Sequence, residues 1–446
     1  MSITIVGLGP GDPGLLTRRA WEVLSSAPRI YLRTRQHPVV EALPGGATLY
    51  SFDDLYEQHD AFDQVYDSIV AALMDAVAQA GEVLYAVPGD PMVAEATVTR
   101  LMAACKTRNI PVVIVSGVSF IEPALALVGV DASDGLQVVD ALDLATLHHP
   151  PLNPDKPALI AQVYSRMVAS DLKLTLMNQY PDEHPVMMIQ AAGMPSQSAA
   201  GIPLHEIDRI EPGLLATVYV PPYDASPGAV ASLEGFQETI AHLRAPEGCP
   251  WDQEQTHFSL RPHLIEEAYE VLDAIDSEIP EKLMEELGDL LLQIVLHSQI
   301  AVEDGEFRMA DVIRTVDAKM KRRHPHVWGD VNVNGDPEQV KANWEQIKAQ
   351  ERRSIGASEK SLLDGLPASL PALAQAHAYD ERARQVGWDW PDESGVIAKL
   401  HEEIQEILDA ITPAEKFDEI GDLLLVASVW ARWHGVNPED ALRAAN

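Results

Sequence analysis

Two pairs of carboxylates lie on either side of a short break in an apolar helical pattern. Glu267 and Glu270 form the first pair, and Glu286 and Asp289 form the second. Side chains three residues apart share a helix face, so two helices folded back about Ile279 would bring all four carboxylates into one cleft. Like charges are unfavourable in a partly dry cleft unless cations neutralise them. The pattern therefore predicts a site for Mg²⁺ or Mn²⁺, which prefer oxygen ligands.

The whole pattern occurs twice in the chain. The second copy repeats the flanking Trp-Asp and Gly-Asp-Leu-Leu-Leu sequences, and its corresponding carboxylates are Glu403, Glu406, Glu419 and Asp422. A solvated acidic helix face is the simpler interpretation of one EExxE pattern. Such a face has no reason to recur with its flanks intact, so the repeat favours the metal-site interpretation.

The elements that must position these residues are helices. Residues 229–446 show amphipathic patterns and almost no strand signal, which predicts an all-α C-terminal half. Residues 1–222 alternate short β-branched runs with amphipathic segments, which predicts an α/β N-terminal half. A proline-rich segment at 221–227 marks the boundary. The expected strands are Ile3–Val6, Ile30–Leu32, Val83–Val87, Val112–Val115, Ala158–Val163, Val186–Gln190 and Ala216–Val220.

Composition restricts the class of protein. The 446 residues include 32 Lys and Arg against 68 Asp and Glu, for a formal charge of −36, which disfavours binding to a nucleic acid polymer. Cys105 and Cys249 match no zinc or redox spacing, as in a reduced cytoplasmic protein. The N-terminus lacks the features of a signal peptide, and no apolar run reaches the roughly 18 residues of a membrane span. We therefore expect a soluble, cytoplasmic, multi-domain protein with no membrane partner.

Tight turns follow three of the expected strands, in the motifs GLGPGDPG (7–14), VPGDPMV (87–93) and VSGVSF (115–120). The first is not a dinucleotide fingerprint, because its glycines are spaced GxGxG and Pro10 and Pro13 interrupt the helix start. Each motif alone is typical of an ordinary turn. Together, in this order, they resemble the tetrapyrrole (corrin and porphyrin) methylase family over residues 1–222.

That resemblance implies two α/β subdomains with S-adenosylmethionine bound in the cleft between them. Because methyl transfer from a sulfonium needs mainly positioning, no obvious catalytic residue is expected. The methyl acceptor is not indicated, and a degenerate cofactor-binding or regulatory module is the alternative. By position, the residues implied at the cofactor site are Leu8, Gly89, Asp90, Val93, Ser119 and Phe120.

The C-terminal half resembles the MazG family of nucleoside triphosphate pyrophosphohydrolases, which are all-α enzymes with an EExxE…ExxD magnesium site. The motifs GCPWDQEQTH, LIEEAYEVLDAI, EELGDLLLQIV, KMKRRHPHVWGD and NWEQIKAQER carry this resemblance. It implies tandem MazG-like helical bundles at 229–355 and 362–446. It also implies hydrolysis between the α and β phosphates of a nucleoside triphosphate, giving a monophosphate and pyrophosphate.

Roles for individual residues follow from the resemblance and from their charges. One of the metal-binding carboxylates, or the adjacent Glu266, would act as the base toward water, and that choice stays open. A basic run at 319–324 would attract a polyanion, although such a run is also typical of a helix C-terminus. Lys282, Lys319 and Arg323 are the implied phosphate contacts, and Trp344 is either a base-stacking aromatic or an anchor of its own helix. The implied catalytic set is Glu266, Glu267, Glu270 and Lys282.

The two copies are not equivalent. The second ends at Asn446, where the family pattern continues with a basic segment, and it has Glu415 in place of Lys282, although Lys416 is adjacent. We hypothesise that the first copy hydrolyses and that the second is weak, inactive or structural. One helical hairpin cannot enclose a cleft, so hairpins must pair between copies or between chains, and a homodimer is expected.

Two other functions stay open from the sequence. The chain is alternatively a tetrapyrrole methyltransferase with an accessory helical half, or a regulator that senses S-adenosylmethionine. The preferred nucleotide is not indicated by any motif.

Overall fold

The computed structural model describes residues 1–43, 45–59, 61–213, 215–224, 226, 228–354 and 363–446. The chain divides into two compact units, Met1–Met309 and Ala310–Asn446. The expected α/β N-terminal half is confirmed, and the described residues from 229 onward form helices and no strand. The domain boundaries at 222, 229, 355 and 362 stay predictions. Residues 355 and 362, with Ala225 and Pro227 of the proline-rich segment, lie outside the described residues.

The first sheet is parallel, with strand order β3-β2-β4-β1-β5 among the described residues. Its helices cover both faces, and the central strand β4 is buried along almost its whole length, as expected for a parallel sheet. The elements are β1 (Ser2–Gly7), α1 (Arg18–Ser26), β2 (Arg29–Leu32), β3 (Thr48–Ser51), α2 (Asp53–Gln58), α3 (Phe62–Ala80), β4 (Glu82–Val87), α4 (Ala96–Thr107), β5 (Val112–Val115) and α5 (Ile121–Val128).

The second sheet is mixed, with order β6-β7-β10-β8-β9 and a parallel β6–β7 pair. Its core includes buried residues of the amphipathic helix α7, such as Val168, Leu172 and Leu176. The elements are β6 (Gln137–Asp140), α6 (Ala141–Leu144), β7 (Ala158–Ala161), α7 (Arg166–Leu176), β8 (Pro185–Gln190), β9 (Ser198–Pro203) and β10 (Ala216–Val220).

The sequence prediction missed three strands, β3, β6 and β9, and all three lie at sheet edges. The edge position explains the omission, because an edge strand buries few side chains and so has a weak apolar signal. No residue of β3, β6 or β9 is buried, whereas every residue of the correctly predicted β10 is buried.

The rest of the first unit is helical and contains the carboxylate hairpin. Its α10 ends at Asp276, Glu278 adopts a left-handed conformation (φ 54°), and α11 begins with Pro280, whose fixed φ suits a helix start. The α8 helix packs on the distal part of α11 through Ile240, Val295 and Leu296. The helices are α8 (Leu233–Arg244), α9 (Pro250–Gln253), α10 (Arg261–Asp276) and α11 (Pro280–Glu303).

The second unit begins within the helix α12 and carries the second hairpin, α16–α17. A small core of Val396, Val426 and Val429 joins the two helices of that hairpin. The helices are α12 (Met309–Arg323), α13 (Pro325–Trp328), α14 (Pro337–Ser354), α15 (Ala372–Gln385), α16 (Glu393–Asp409), α17 (Pro413–Trp433) and α18 (Pro438–Ala445). Across the described helices of both units, none has the length and apolar content of a membrane span.

Candidate metal centre and cofactor cleft

The first hairpin brings three of its four predicted ligands together. Glu267 and Glu270 of α10 and Glu286 of α11 each place a carboxylate oxygen within 4.8 Å of the other two. Asp289 lies one turn further along α11, close enough for its charge to raise the pKa of Glu267. The antiparallel hairpin therefore concentrates negative charge at one place.

The electrostatics of this cluster fit a divalent cation. Burial raises the pKa of Glu267, and the charges of Asp289 and Glu270 raise it further. Burial also raises the pKa of Glu286, with the charge of Glu270 as the next cause. Repulsion of this kind is relieved by a proton or by a bound cation, and a donor set made only of carboxylates suits Mg²⁺ or Mn²⁺.

The second hairpin forms a similar cluster with a different neighbour. Oxygens of Glu403, Glu419 and Asp422 lie within 4.8 Å of one another, and burial, followed by the charge of Glu406, raises the pKa of Glu419. The Lys399 ammonium, one turn before Glu403, lies 2.8 Å from that buried carboxylate.

The first copy has a histidine at the position of Lys399. His263 precedes Glu267 by one turn, and its Nδ1 lies 3.7 Å from Oε2 of Glu266, whose side chain is exposed. The surroundings of the two clusters therefore differ even though their carboxylates correspond.

Lys282 and its counterpart Glu415 have different local roles. Lys282 is exposed in the first turn of α11, where its charge offsets part of the rise in the pKa of Glu286. Glu415 completes a capping box with Thr412, accepting from the backbone N–H groups of Ile411 and Thr412 at 2.9 Å each. The loss of lysine in the second copy therefore coincides with a gain in helix capping.

The other predicted substrate contacts lie in the second unit. Arg323 donates from Nε and Nη2 to Oε2 of Glu351 at 3.2 and 2.7 Å, and its guanidinium lies 5.5 Å from the Trp344 ring. The His324 ring meets Trp344 edge-on at 4.7 Å, whereas Lys319 is half-buried on α12. Trp344 of α14 therefore packs against the C-terminal end of α12, and the choice between base stacking and helix anchoring stays open.

The ion pairs of Glu351 lead to a prediction about pH. Arg323 and Arg322 lower the pKa of Glu351 to about 2, so these pairs stabilise the fold above the ordinary carboxyl pKa of about 4.5 and lose that effect as the pH falls toward 2. We expect Glu351→Gln to lower the free energy of unfolding by about 1 kcal/mol at pH 7, and by less at pH 3.5, in urea titrations. The control Glu345→Gln removes a half-buried pair with a single lysine, Lys348. A pH-independent effect of Glu351→Gln would contradict the assignment.

The three turn motifs of the N-terminal half meet through their main chains. Gly9 and Gly89 exchange hydrogen bonds of 3.1 and 2.8 Å. A Cβ at Gly7 would lie 2.4 Å from the carbonyl oxygen of Gly89, and a Cβ at Gly117 would lie 2.2 Å from the same oxygen. Glycine is therefore required at both positions by the close approach of the loops themselves.

Asp90 connects two of these loops. Its Oδ1 accepts from the N–H of Met92 at 2.8 Å, and its Oδ2 accepts from the N–H of Gly117 at 3.1 Å. A carboxylate has further lone pairs, so this bracing leaves Asp90 able to accept from a ligand as well.

The loops border a cleft of about 1180 Å³ lined by residues of both sheets. Of the predicted cofactor residues, Gly89, Asp90, Val93 and Phe120 line it. Leu8 and Ser119 are buried with 1% and 3% exposure and are not among its lining residues. Ser119 instead donates to Glu122 at 2.6 Å and accepts from the N–H of Ile121, at the start of α5.

The sequence prediction missed Arg33 and Glu95 in the cleft wall. Arg33 Nε donates to Glu95 at 3.2 Å, and both side chains are largely buried. The guanidinium lies 5.0 and 4.9 Å from the rings of Tyr56 and Tyr66. Arg33 directly follows β2, and ligand-facing residues commonly follow strand ends in such sheets. That position is the one sequence signal that could have identified Arg33.

Family models match both halves of the chain. The model of tetrapyrrole (corrin/porphyrin) methylases matches residues 2–208, and that of the MazG nucleotide pyrophosphohydrolase domain matches residues 255–328. A full-length relative is the uncharacterised protein YabN of Bacillus subtilis, which is 41% identical over 450 residues, covering 100% of this chain and 90% of YabN.

Two further relatives match the helical half. The nucleoside triphosphate pyrophosphohydrolase/pyrophosphatase MazG of Thermotoga maritima is 46% identical over 213 residues, 47% of this chain and 80% of that protein. The nucleoside triphosphate pyrophosphohydrolase of Escherichia coli K12 is 43% identical over 213 residues, 46% of this chain and 80% of that protein. With its paired carboxylate hairpins and its glycine-rich cleft, the chain belongs to the MazG family of nucleoside triphosphate pyrophosphohydrolases, fused to an N-terminal domain of the tetrapyrrole methylase family.

Proposed function

We propose that the chain hydrolyses nucleoside triphosphates to monophosphates and pyrophosphate, with Mg²⁺ held by the hairpin α10–α11. The observation that carries the proposal is the convergence of Glu267, Glu270 and Glu286 within 4.8 Å, beside Asp289. The relatives named for this reaction support the same activity here. We place the enzyme in the cytoplasm, with free nucleotides as its substrates.

Different carboxylates would bind the metal and accept the proton in this reaction. Glu267, Glu270, Glu286 and Asp289 would hold the metal. Bound Mg²⁺ screens the triphosphate and stabilises the charge of the leaving pyrophosphate. Glu266, exposed beside the cluster, or a member of the cluster itself would accept the proton of the attacking water.

Binding the rest of the nucleotide falls to basic and aromatic side chains. Lys282 stands at the start of α11 beside the carboxylates and would contact a phosphate. Lys319 and Arg323 would contact the other phosphates, with Trp344 as the candidate for stacking on the base. The pairing of Arg323 with Glu351 keeps its guanidinium in a fixed orientation.

A direct assay tests this function. Pyrophosphate release from a panel of normal and modified nucleoside triphosphates is measured with Mg²⁺, with Mn²⁺ and with excess chelator. We expect turnover with either metal and none after chelation, and the panel ranks the nucleotides. Release of orthophosphate in place of pyrophosphate, or turnover that survives chelation, would contradict the proposal.

We also propose a homodimer, because the first hairpin exposes an apolar stripe. Leu287, Leu291 and Ile294 of α11 are 48%, 39% and 40% exposed. Exposed apolar patches of this kind mark association surfaces, and a second hairpin would complete a four-helix bundle.

Disrupting this stripe is expected to separate the subunits. Each substitution counts twice at a twofold interface, so Leu287→Glu is expected to raise the dimer dissociation constant about 100-fold or more, near 3 kcal/mol. Light scattering during size exclusion measures the change. Met167→Glu, at a residue of α7 that is 74% exposed, is the matched control, and a dimer unaffected by Leu287→Glu would contradict this interface.

For residues 1–222 we propose binding of S-adenosylmethionine, with methyl transfer as the second candidate function. The meeting of three main-chain loops at a large cleft supports cofactor binding. Equilibrium dialysis with labelled cofactor tests binding, and transfer of label to a porphyrinoid tests methylation. Binding without transfer in this assay would favour the regulatory module. We keep 1–222, 229–355 and 362–446 as the proposed domains.

A further inference from the structure

Two histidines connect the entry loop of the first hairpin, residues 254–260, to α11. The Nδ1 atoms of His257 and His297 lie 2.7 Å apart, and their rings stack with centroids 5.0 Å apart and 11° between the planes. One Nδ1 must donate and the other must accept, so at least one of the two rings is neutral. The proposed hydrolysis gives no role to either histidine.

The second copy joins the same two positions with different side chains. Residues 257 and 393 each lie ten positions before the second glutamate of EExxE, and residues 297 and 430 each lie eleven positions after the first carboxylate of the second pair. In the second copy, Nε1 of Trp430 donates to Oε1 of Glu393 at 2.9 Å. A link that recurs at corresponding positions with unrelated side chains indicates that the hairpin requires the link itself.

The entry loop leads directly into the helix that carries two of the metal ligands. Its last residue, Leu260, has 1% exposure and packs with Leu296 of α11. The α10 helix begins at the next residue, and Glu267 lies in its second turn. A fixed entry loop therefore holds the start of α10 against α11, and with it the approach of Glu267 to Glu286.

The buried side of the pair indicates which histidine donates. Nε2 of His297 is buried and has no hydrogen-bond partner among the described residues. A buried N–H without an acceptor is rarer than a buried acceptor without a donor, so we assign the proton of His297 to Nδ1, which donates to His257. A further proton on His297 would occupy Nε2, where nothing accepts it. Burial accordingly lowers the pKa of His297, and the charge of His257 lowers it further.

The charged groups around the pair lie on α8, the entry loop and the end of α11. Those that border a cavity of about 390 Å³ beside His257 are Arg244, Glu254, Glu303 and Asp304. Arg244 and Glu303 pair at 2.7 Å, so the remaining charge there is negative. On α10, His263 lies against Trp251, with ring centroids 6.4 Å apart. Resistance to an added proton therefore comes from burial and from the other ring of the pair.

We propose that His257 and His297 form a positioning pair that holds the carboxylates of the first copy in their metal-binding arrangement, and that protonation of both rings releases it. The proposal rests on the proposed hydrolysis, because it concerns the same metal site. Two imidazolium rings have only donors, so the bond between them is lost and their charges repel. In the second copy, Trp430 keeps its donor and Glu393 keeps an acceptor oxygen in either protonation state.

The direction of the pH effect follows from the pKa of His297. Folding holds this pKa below the ordinary value of about 6.5. Below that pH the released loop therefore binds more protons than the fixed loop, and the fixed state loses stability as the pH falls.

Hydrogen exchange followed by mass spectrometry measures the release of the entry loop in the full chain. Relative to intrinsic exchange rates, we expect protection of its amides to fall about tenfold or more between pH 7.5 and pH 5.0. The segment 386–396 around Glu393 is the internal control and should keep its protection. Loop protection that is independent of pH, or an equal loss in both segments, would overturn the proposal.

Two substitutions of His297 separate the hydrogen bond from the titration. His297→Asn places an amide near the Nδ1 position, which donates to a neutral His257 and accepts from a protonated one, so loop protection should change less than about twofold with pH. His297→Leu removes the bond and should lower protection about fivefold at both pH values. An Asn variant with the pH dependence of the parent, or a Leu variant with full protection, would refute the pair.

Manganese binding tests whether the pair positions the carboxylates. Mn²⁺ affinity is measured by EPR spectroscopy at pH 7.5 in a Glu403→Ala background, which weakens the contribution of the second cluster. We expect His297→Leu to weaken Mn²⁺ binding about tenfold and His297→Asn to change it less than about twofold. His242→Asn, at an exposed histidine of α8, is the matched control and should alter neither Mn²⁺ affinity nor loop protection. Full Mn²⁺ affinity in the Leu variant would overturn the positioning role.

These measurements distinguish the pair from the reaction that it serves. If Mn²⁺ affinity follows the variants and the parent releases no pyrophosphate, the proposed hydrolysis alone fails. If the parent and His297→Leu release pyrophosphate at equal rates and bind Mn²⁺ equally, the positioning pair alone fails.

Discussion

Glu267→Ala is expected to reduce pyrophosphate release about 10³-fold, a loss near 4 kcal/mol in activation free energy, whereas Glu403→Ala is expected to change it less than about threefold. Glu267 belongs to the carboxylate cluster of the first copy, next to Lys282. The Glu403 cluster contacts Lys399, and the second copy has the capping glutamate Glu415 at the position that Lys282 holds in the first copy. Removing one carboxylate from the working cluster weakens metal binding and leaves the triphosphate charge unscreened.

Steady-state assays at saturating and limiting Mg²⁺ measure the rate of pyrophosphate release by both variants. Asp276→Ala, which removes an exposed carboxylate at the C-terminal end of α10, is the matched control and should keep full activity. Equal losses from Glu267→Ala and Glu403→Ala would contradict the division between the copies. No loss from either would contradict the metal site itself.

Gly117→Ala is expected to destabilise the N-terminal half by about 3 kcal/mol and to weaken cofactor binding. The added Cβ would lie 2.2 Å from the carbonyl oxygen of Gly89 and 3.0 Å from the backbone of Gly7. These neighbours are main-chain atoms, so no flexible side chain can move aside, and the loops must separate.

Scanning calorimetry of the full chain, with cofactor dialysis alongside, measures this effect. Gly201→Ala is the control, because a Cβ there meets nothing within 4 Å and its φ is not positive. We expect the control to stay within about 0.5 kcal/mol of the parent. A Gly117→Ala protein with unchanged melting would show that the loops are less closely packed than the structure indicates.

The carboxylate hairpin was predictable because its information is local. Glu267 and Glu270 share a face by helical period, and the short break before Pro280 reverses the chain, so the sequence alone places both pairs on facing helices. The edge strands were less predictable, because strands such as β3 and β9 contain only exposed and half-buried residues and so lack a buried apolar face.

The cleft wall depends on long-range contacts that have no local signal. Arg33 and Glu95 are 62 residues apart, and their pairing arises only when β2 and β4 lie side by side in the sheet. Glu415 shows a different limit. From the sequence, Glu415 is only a position where the first copy has a lysine. In the fold, it accepts hydrogen bonds from the turn before α17 and so caps that helix.

The hydrogen bonds by which Asp90 joins two loops affect which amino-acid substitutions such a domain can accept during evolution. Its two hydrogen bonds reach peptide N–H groups, and the contact between Gly9 and Gly89 is also peptide to peptide. Apart from Asp90 and the glycines required at positions 7 and 117, this frame is joined peptide to peptide, so it depends little on the identity of the surrounding side chains. Residues that line the cleft can therefore be substituted, which changes the preferred ligand, while the backbone frame of the cleft keeps its dimensions.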